Sequence, residues 1–492
     1  MIDHRRITFG IVGGIGPIAG ADLFFKFVKS TPAYDDSEHF NVILEQQPLR
    51  EKSVFADELY DPAPRKMHIF SVIQQLVARK ANCIILSCFI SHTFLHELEN
   101  SINVPIINMM EGLRHHVQSR YADKTRIGVL TSDYVRRRQL FEGYFPSGRF
   151  HLIYPDADIQ KRCLMPAVYG TKGIKAGHLT GAVIENLEKA CSHLFSKGAD
   201  LILPGFTEIP VVYDALQKKT KFPIIDANQV YADWAIRHYS RIQPKKQCKI
   251  GIIGGLGPSA TVDLMDKIVK NTPAEKDQDH YKIIVEHNPQ IPDRTAYLLQ
   301  DAEDPTIPLF TCAKNLEKRE ADFIAIPCNT AHAFIDRIQK YLSIPIVHMI
   351  EEVAAYIQKH FPATTAAGLL ATTGTIKTGI YHKVFAGTDI RLVTPDEIHQ
   401  QFVMEAIYGE KGVKAGFRQG AAREHLLKAA GYLVDKGTQV LILGCTELPL
   451  IMEANDRFPF GAREAAILDP TNILAQKCVS LLAAMNRGDP MD

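Results

Sequence analysis

Two cysteines stand where a thiol can become a reactive anion. Cys328 ends the apolar run Phe323-Ile324-Ala325-Ile326-Pro327 and opens Asn329-Thr330-Ala331-His332. Cys445 ends Val440-Leu441-Ile442-Leu443-Gly444 and opens Thr446-Glu447-Leu448-Pro449. Both runs read as strands, and both following segments as the start of a helix or turn. Free backbone N–H groups and the helix dipole favour an anion there. A thiol at such a terminus is expected to have a lowered pKa, and the thiolate is the reactive form. By contrast, Cys83, Cys163, Cys191, Cys248, Cys312 and Cys478 read as small buried core residues.

Other candidate groups surround this pair in sequence. Arg294, in Asn288-Pro289-Gln290-Ile291-Pro292-Asp293-Arg294-Thr295, lies in a Pro-punctuated stretch read as a loop. Its guanidinium suits bidentate binding of a carboxylate, or a solvated surface; Lys414 carries the same two readings. His332 follows Cys328 by four residues, on the same helix face. It can tune the thiol, bind substrate, or be a satisfied core histidine. Gly255-Leu256-Gly257-Pro258-Ser259-Ala260 fits G-x-G-x-x-A between a strand and a helix, so a dinucleotide site competes with a carboxylate-binding turn. The acid closing the next strand, Glu286, comes 29 residues after Gly257, where a ribose-binding acid is expected after about 20. No C-x-x-C pair appears, which argues against a Cys-His zinc site.

The elements that must position these groups occur twice. Gly10-Ile11-Val12-Gly13-Gly14-Ile15-Gly16-Pro17 recurs as Gly251-Ile252-Ile253-Gly254-Gly255-Leu256-Gly257-Pro258. Tyr169-Gly170-Thr171-Lys172-Gly173-Ile174-Lys175-Ala176-Gly177 recurs as Tyr408-Gly409-Glu410-Lys411-Gly412-Val413-Lys414-Ala415-Gly416. Leu201–Glu208 recurs as Val440–Glu447. Two copies with a period of about 240 residues are two whole globular units, not a solenoid. The polar stretch Gln243-Pro244-Lys245-Lys246-Gln247 is the natural linker, dividing the chain into 1–244 and 245–492. In the second half, strand readings at Lys249–Gly254, Lys282–Glu286, Asp322–Pro327, Ala367–Ala371, Ile390–Thr394 and Val440–Gly444 alternate with helical patterns such as Pro258–Lys270 and Ile307–Arg319. This alternation predicts an α/β fold with parallel sheets, two lobes per half, and a cleft beyond the strands' carboxyl ends.

The bulk properties narrow the classes. The 492 residues are 46% hydrophobic and 23% charged, with a net charge of +1. That balance gives no field for nucleic acid or an acidic membrane. No apolar run reaches the ~18 residues of a membrane span, and the start of the chain lacks a signal-peptide pattern. Nine thinly spread cysteines suit a reducing cytoplasm.

Taken together and in order, four segments of the second half resemble the aspartate/glutamate racemase family. They are Gly254-Gly255-Leu256-Gly257-Pro258 with Ala260-Thr261, Asn288-Pro289 with Ile291-Pro292-Asp293-Arg294-Thr295, Cys328-Asn329-Thr330-Ala331-His332, and Gly444-Cys445-Thr446-Glu447-Leu448. The resemblance implies racemisation with no cofactor, neither pyridoxal phosphate nor metal, of a small acidic amino acid. One cysteine from each lobe would act as acid or base. On the same basis Arg294 and Lys414 look like the holders of substrate carboxylates, and Gly374-Thr375 like a substrate-binding turn. Gly257, Asn329, Thr330, His332, Thr446 and Glu447 complete the expected site. Two thiols answer a geometric need, because inverting a carbon requires a proton removed from one face and one returned to the other. One thiolate must be stabilised without the other, since like charges facing each other raise one pKa. Related readings are a hydantoin racemase, another diacid isomerase, or a silent binding protein for acidic amino acids.

The first half departs where it matters. Cys88 and His92 remain, but Phe89 and Ile90 replace Asn329 and Thr330, and Phe206 replaces Cys445. Tyr134-Val135 stands at the Gly374-Thr375 turn, and Arg50 aligns poorly with Arg294. Lys175, Thr207 and Glu208 are kept. Phe206 cannot carry a proton and is expected to fill the cleft. This half is therefore expected to be a degenerate copy, with a structural or regulatory role and a place in an intrachain pseudo-dimer.

Overall fold

Strands such as Cys83-Ile84-Ile85-Leu86 and Val440-Leu441-Ile442-Leu443 are buried at every residue. Parallel strands covered on both faces have no wet side, so their sequences run apolar without alternating. A computed structural model describes residues 7–49, 61–241, 248–300 and 302–487. The linker segment 243–247 and Arg50 lie outside the described residues. The chain divides into two units, Met1–Lys246 and Gln247–Asp492.

In the first unit, β1 (Thr8–Gly13), β2 (Asn41–Gln46), β3 (Cys83–Leu86) and β4 (Ile106–Ile107) form a parallel sheet in the order β2-β1-β3-β4. A second parallel sheet has the order β6-β5-β7, from β5 (Arg126–Thr131), β6 (His151–Ile153) and β7 (Leu201–Gly205).

The second unit repeats this plan. β8 (Lys249–Gly254), β9 (Lys282–His287) and β10 (Phe323–Ala325) give the parallel order β10-β8-β9. The other lobe holds β11 (Ala366–Leu370), β12 (Arg391–Val393), β13 (Val440–Leu443), β14 (Asn455–Phe460) and β15 (Arg463–Leu468), in the order β12-β11-β13-β15-β14. The expected strand over Asp322–Pro327 contracts to β10 because the chain turns at once: the Cys328 N–H donates to the Ile326 carbonyl at 2.8 Å.

The hairpin β14–β15 was not expected. β15 runs parallel to β13, whereas β14 pairs antiparallel with β15 and closes the sheet edge. β14 is largely exposed and carries charges and Pro459, which blunts an edge but gives no alternating signal. A second difference concerns Arg294. It opens a helix, Arg294–Gln300, where a loop was expected. Asp293 accepts from the Ala296 N–H at 2.8 Å, satisfying one of the donors at the helix start.

Each unit is closed by its last long helix. In the second unit Pro470–Arg487 returns to the first lobe, where Leu474, Cys478 and Leu482 pack with Ile250, Leu264, Ile268 and Phe323. Lys267 bridges Asp263 and Asp469 at this seam. In the first unit, Lys26 similarly joins Asp22 and Asp226. The lobes of a unit are thus tied at both crossovers, which fixes the cleft between them. Among the described residues, no helix is long and apolar enough to cross a membrane.

Candidate active site

Cys328 leaves β10 with extended backbone and caps the short 3₁₀ helix Asn329–Phe334. Cys445 follows β13 by two residues, ahead of the 3₁₀ helix Leu448–Leu450. The two turns are pinned together: Thr446 Oγ1 donates to the Pro327 carbonyl at 3.1 Å. Both cysteines line one small cavity. The first lobe contributes Leu256, Asp293, Arg294, Thr295, Asn329 and Thr330 to its wall, and the second contributes Thr372, Tyr408, Lys414, Thr446 and Glu447.

The sulfurs have different surroundings. Cys445 Sγ donates to Glu447 Oε2 at 3.1 Å. Burial first, and then the Glu447 carboxylate, push its thiol well above the ordinary range, although Lys414 pulls the other way. The lowered pKa expected at this strand end is therefore corrected for Cys445, because desolvation and a neighbouring anion outweigh the dipole of so short a helix. Cys328 instead faces the Arg294 guanidinium, which hydrogen-bonds its side chain. Burial works against that arginine's charge, but Cys328 and Asp293 hold it protonated.

Arg294 departs from the bidentate carboxylate clamp. Nη1 donates to the carbonyls of Ile291 and Pro292, and Nη2 to that of Leu256 at 2.7 Å. Nε is buried without a partner. The side chain thus stands as a fixed charge against Cys328. Lys414 lies 3.9 Å from Glu447 and over the Tyr408 ring. Despite its partial burial, Glu447, Tyr408 and both thiols favour its ammonium, so one cation acts on both sulfurs.

Asn329 accepts from the Tyr381 hydroxyl at 2.6 Å, while its Nδ2 is buried and unpartnered. An orphaned donor on a cavity wall is suited to a bound oxygen. Thr330 and Thr375 share a 2.7 Å hydrogen bond across the lobes, and Thr372 joins Thr375 at 3.1 Å. Thr375 and Gly374 therefore stand behind the wall, which is formed here by Thr372. The Gly374 backbone lies against Thr295, where a Cβ would come within 2.8 Å of that side chain.

His332 is also off the wall. Its Nε2 accepts from the Met349 N–H at 3.1 Å, so Nδ1 carries the proton that it donates to the Cys328 carbonyl at 2.9 Å. Burial pushes its pKa down to about 3, so it is a neutral strut rather than a substrate ligand. Gly257 is likewise not a wall residue. With φ +145, it lets the loop approach Glu447, and a Cβ there would lie 2.1 Å from Oε1. Glu286 accepts from Asn315 at 3.0 Å, which occupies the acid of the dinucleotide pattern. Tyr408, Thr295 and Thr372 were missed as site residues; only the internal repeat marked Tyr408.

The first unit keeps much of this wiring. His92 sits between the Cys88 carbonyl and the Met109 N–H at 2.9 and 3.2 Å, and Thr207 donates to the Ser87 carbonyl at 3.1 Å. Lys175 is ion-paired with Glu208. The expectation that Phe206 fills the cleft is corrected. Its ring packs edge-on against Tyr169, centroids 5.9 Å apart, and a small cavity remains beside it. Arg65 was also missed. It stands in the first turn of the helix Ala63–Ala78, Nη1 3.7 Å from Cys88 Sγ.

Paired α/β lobes with acid–base groups at facing strand ends define an enzyme cleft, and comparison with known proteins supplies its class. The family model described as Asp/Glu/Hydantoin racemase matches residues 12–235 and again 253–478. The chain belongs to this family through both units, and it is an amino-acid racemase. A broad specificity amino-acid racemase, RacX of Bacillus subtilis, is 31% identical over 244 residues, 48% of this chain and 98% of RacX. A glutamate racemase of Corynebacterium kroppenstedtii is 32% identical over 146 residues, 28% of this chain and 46% of that protein, so the match spans about half of its length. The solved aspartate racemase of Picrophilus torridus is 27% identical, covering 50% of this chain and 96% of that one, with a TM-score of 0.40.

Proposed function

We propose that the second unit racemises an acidic amino acid, aspartate or glutamate, without a cofactor, by proton transfer between Cys328 and Cys445. The observation that carries this reading is that both thiols, in opposite electrostatic settings, line one cavity. A thiolate at Cys328, charge-balanced by Arg294, takes the Cα proton of one enantiomer. Negative charge then develops on the substrate's carboxylate, and the free Asn329 amide is placed to donate to it. Cys445 enters as the thiol and gives its proton to the opposite face. The product departs from a Cys328 thiol and a Cys445 thiolate. Lys414 offsets that new charge, and solvent protons reset the pair. The other enantiomer uses the same groups in exchanged roles.

Lys414, on the cavity wall over the Tyr408 ring and 3.9 Å from Glu447, is the cation placed to meet a second substrate carboxylate, which favours acidic over neutral amino acids. The breadth of RacX makes neutral amino acids the second set to test. The nine free, buried thiols suit a reducing compartment, and we place the enzyme in the cytoplasm.

The test is chiral chromatography of the full-length protein incubated separately with each enantiomer of aspartate, glutamate and a neutral panel. The reading expects an acidic substrate to approach a 1:1 mixture from either side. Turnover of neutral amino acids alone would move the specificity to the second set, and no inversion of any would refute the reading.

A further inference from the structure

Trp234, the single tryptophan of the chain, stands in the wall of a different cavity, away from the thiols. This cavity of about 180 Å³ lies in the first unit, between the helices Met109–Arg120 and Ala227–His238. One water needs only ~10–15 Å³, so there is room for an ion of several oxygens. Gly112 makes the space for the indole, since a Cβ there would come 2.7 Å from the ring. His238 stacks on that ring, centroids 3.6 Å apart, and His115 tilts against it at 5.2 Å.

The wall offers many donors and almost no acceptors. Arg120 and Arg237 line it and are exposed, and neither guanidinium has an ion pair or hydrogen bond among the described residues. The indole N–H is buried without an acceptor, a cost that a bound oxygen removes. Asp233, the one acid among the described lining residues, already accepts from Gln229 Nε2 at 3.0 Å. Burial, then the Arg120 charge, lower the pKa of His116, and Asp233 offsets them only in part.

The internal repeat shows that this arrangement belongs to the first unit. Counting from Ile106 and Ile346, Glu352 stands in the place of Gly112. Counting from Asp226 and Asp469, Lys477 stands in the place of Trp234 and Ser480 in that of Arg237. Lys477 and Glu352 pair at 3.3 Å, so the second unit closes this seam with its own charges.

We infer that the cavity beside Trp234 binds a tetrahedral oxyanion, sulfate or phosphate, free or as the monoester of a small molecule. Arg120 and Arg237 approach it from the two helices, and a guanidinium suits bidentate pairing with phosphate oxygens. Four oxygens use donors from both helices at once, whereas a carboxylate has two.

The test is calorimetric titration of the full-length protein with sulfate, inorganic phosphate, glycerol 3-phosphate and acetate, at an ionic strength held constant with sodium chloride. Trp234 emission, free of any other tryptophan, is followed in parallel. Saturable binding of sulfate and phosphate is expected, with a saturable change in emission and no binding of acetate. Tighter binding of glycerol 3-phosphate than of phosphate assigns the site to a monoester; equal or weaker binding assigns it to the free ion. Arg120→Gln and Arg237→Gln are each expected to weaken oxyanion binding about tenfold or more, the worth of a charge-assisted hydrogen bond, with racemisation unchanged. Both side chains are exposed, so neither change disturbs the core, and these variants decide the location if the emission does not respond. Absence of saturable oxyanion binding, equal binding of acetate, or an affinity unchanged in both arginine variants would overturn the inference.

Discussion

Cys445 and Glu447 share a hydrogen bond in which the thiol donates to the carboxylate at 3.1 Å. The bond favours the protonated sulfur, so at neutral pH Cys445 is held as an acid. Glu447→Gln removes an anion that opposes the thiolate while leaving the burial that opposes it more. The sign is therefore a partial fall in the Cys445 pKa. The pH profile for alkylation of Cys445 should move to lower pH, with faster labelling at a fixed neutral pH. An unmoved or upward-shifted profile would show that the carboxylate does not control this thiol.

Removing either thiol should stop inversion. Cys328→Ala and Cys445→Ala are each expected to lower kcat by about 10²–10⁴-fold or more, the contribution of a positioned acid or base. Cys88→Ala, in the unit that carries Phe206, should retain nearly full activity. Steady-state rates measured from both enantiomers separate these outcomes.

The two histidine struts make stability depend on pH. Burial holds His332 at about 3 and His92 at about 4, below the ~6.5 of an unfolded histidine. Their contribution is fully present above about 6.5 and is lost as pH falls from there toward the folded values, when the unfolded chain gains protons first. Thermal melts should show a falling midpoint across this window. His332→Gln, already destabilised at neutral pH, should show a weaker fall, its lost linkage being on the order of a few kcal/mol.

Thr446 and Thr207 make the same bond in two units of different chemistry. Thr446→Val keeps the shape but leaves the buried Pro327 carbonyl without its partner, at about 1–3 kcal/mol. It should also lower kcat, by up to about 10²-fold, because it frees the two cysteine turns to shift. Thr207→Val should cost similar stability in its own unit and leave racemisation unchanged. Calorimetric melts and rates on both variants check this.

The internal repeat and the apolar runs made the tandem units, the parallel sheets and the cysteine-bearing strand ends legible in sequence. Those features are local, set by periodicity and burial. The roles of Arg294 and His332 were not legible, because a residue type does not tell where its donors go: both are spent largely on backbone carbonyls or amides. Arg65 escaped because it reaches Cys88 from a helix 23 residues upstream, without a counterpart in the second copy. The persistence of the first cavity depended on where the Phe206 ring turns, which only packing against Tyr169 decides.

The central claim is tested most directly in deuterated water, following the Cα proton of each enantiomer during early turnover of the full-length protein. Two facing thiols predict that newly inverted product carries one solvent deuteron while unreacted substrate keeps its proton. Deuterium appearing equally in substrate and product from the start would mean that a single base serves both faces, and would contradict the account.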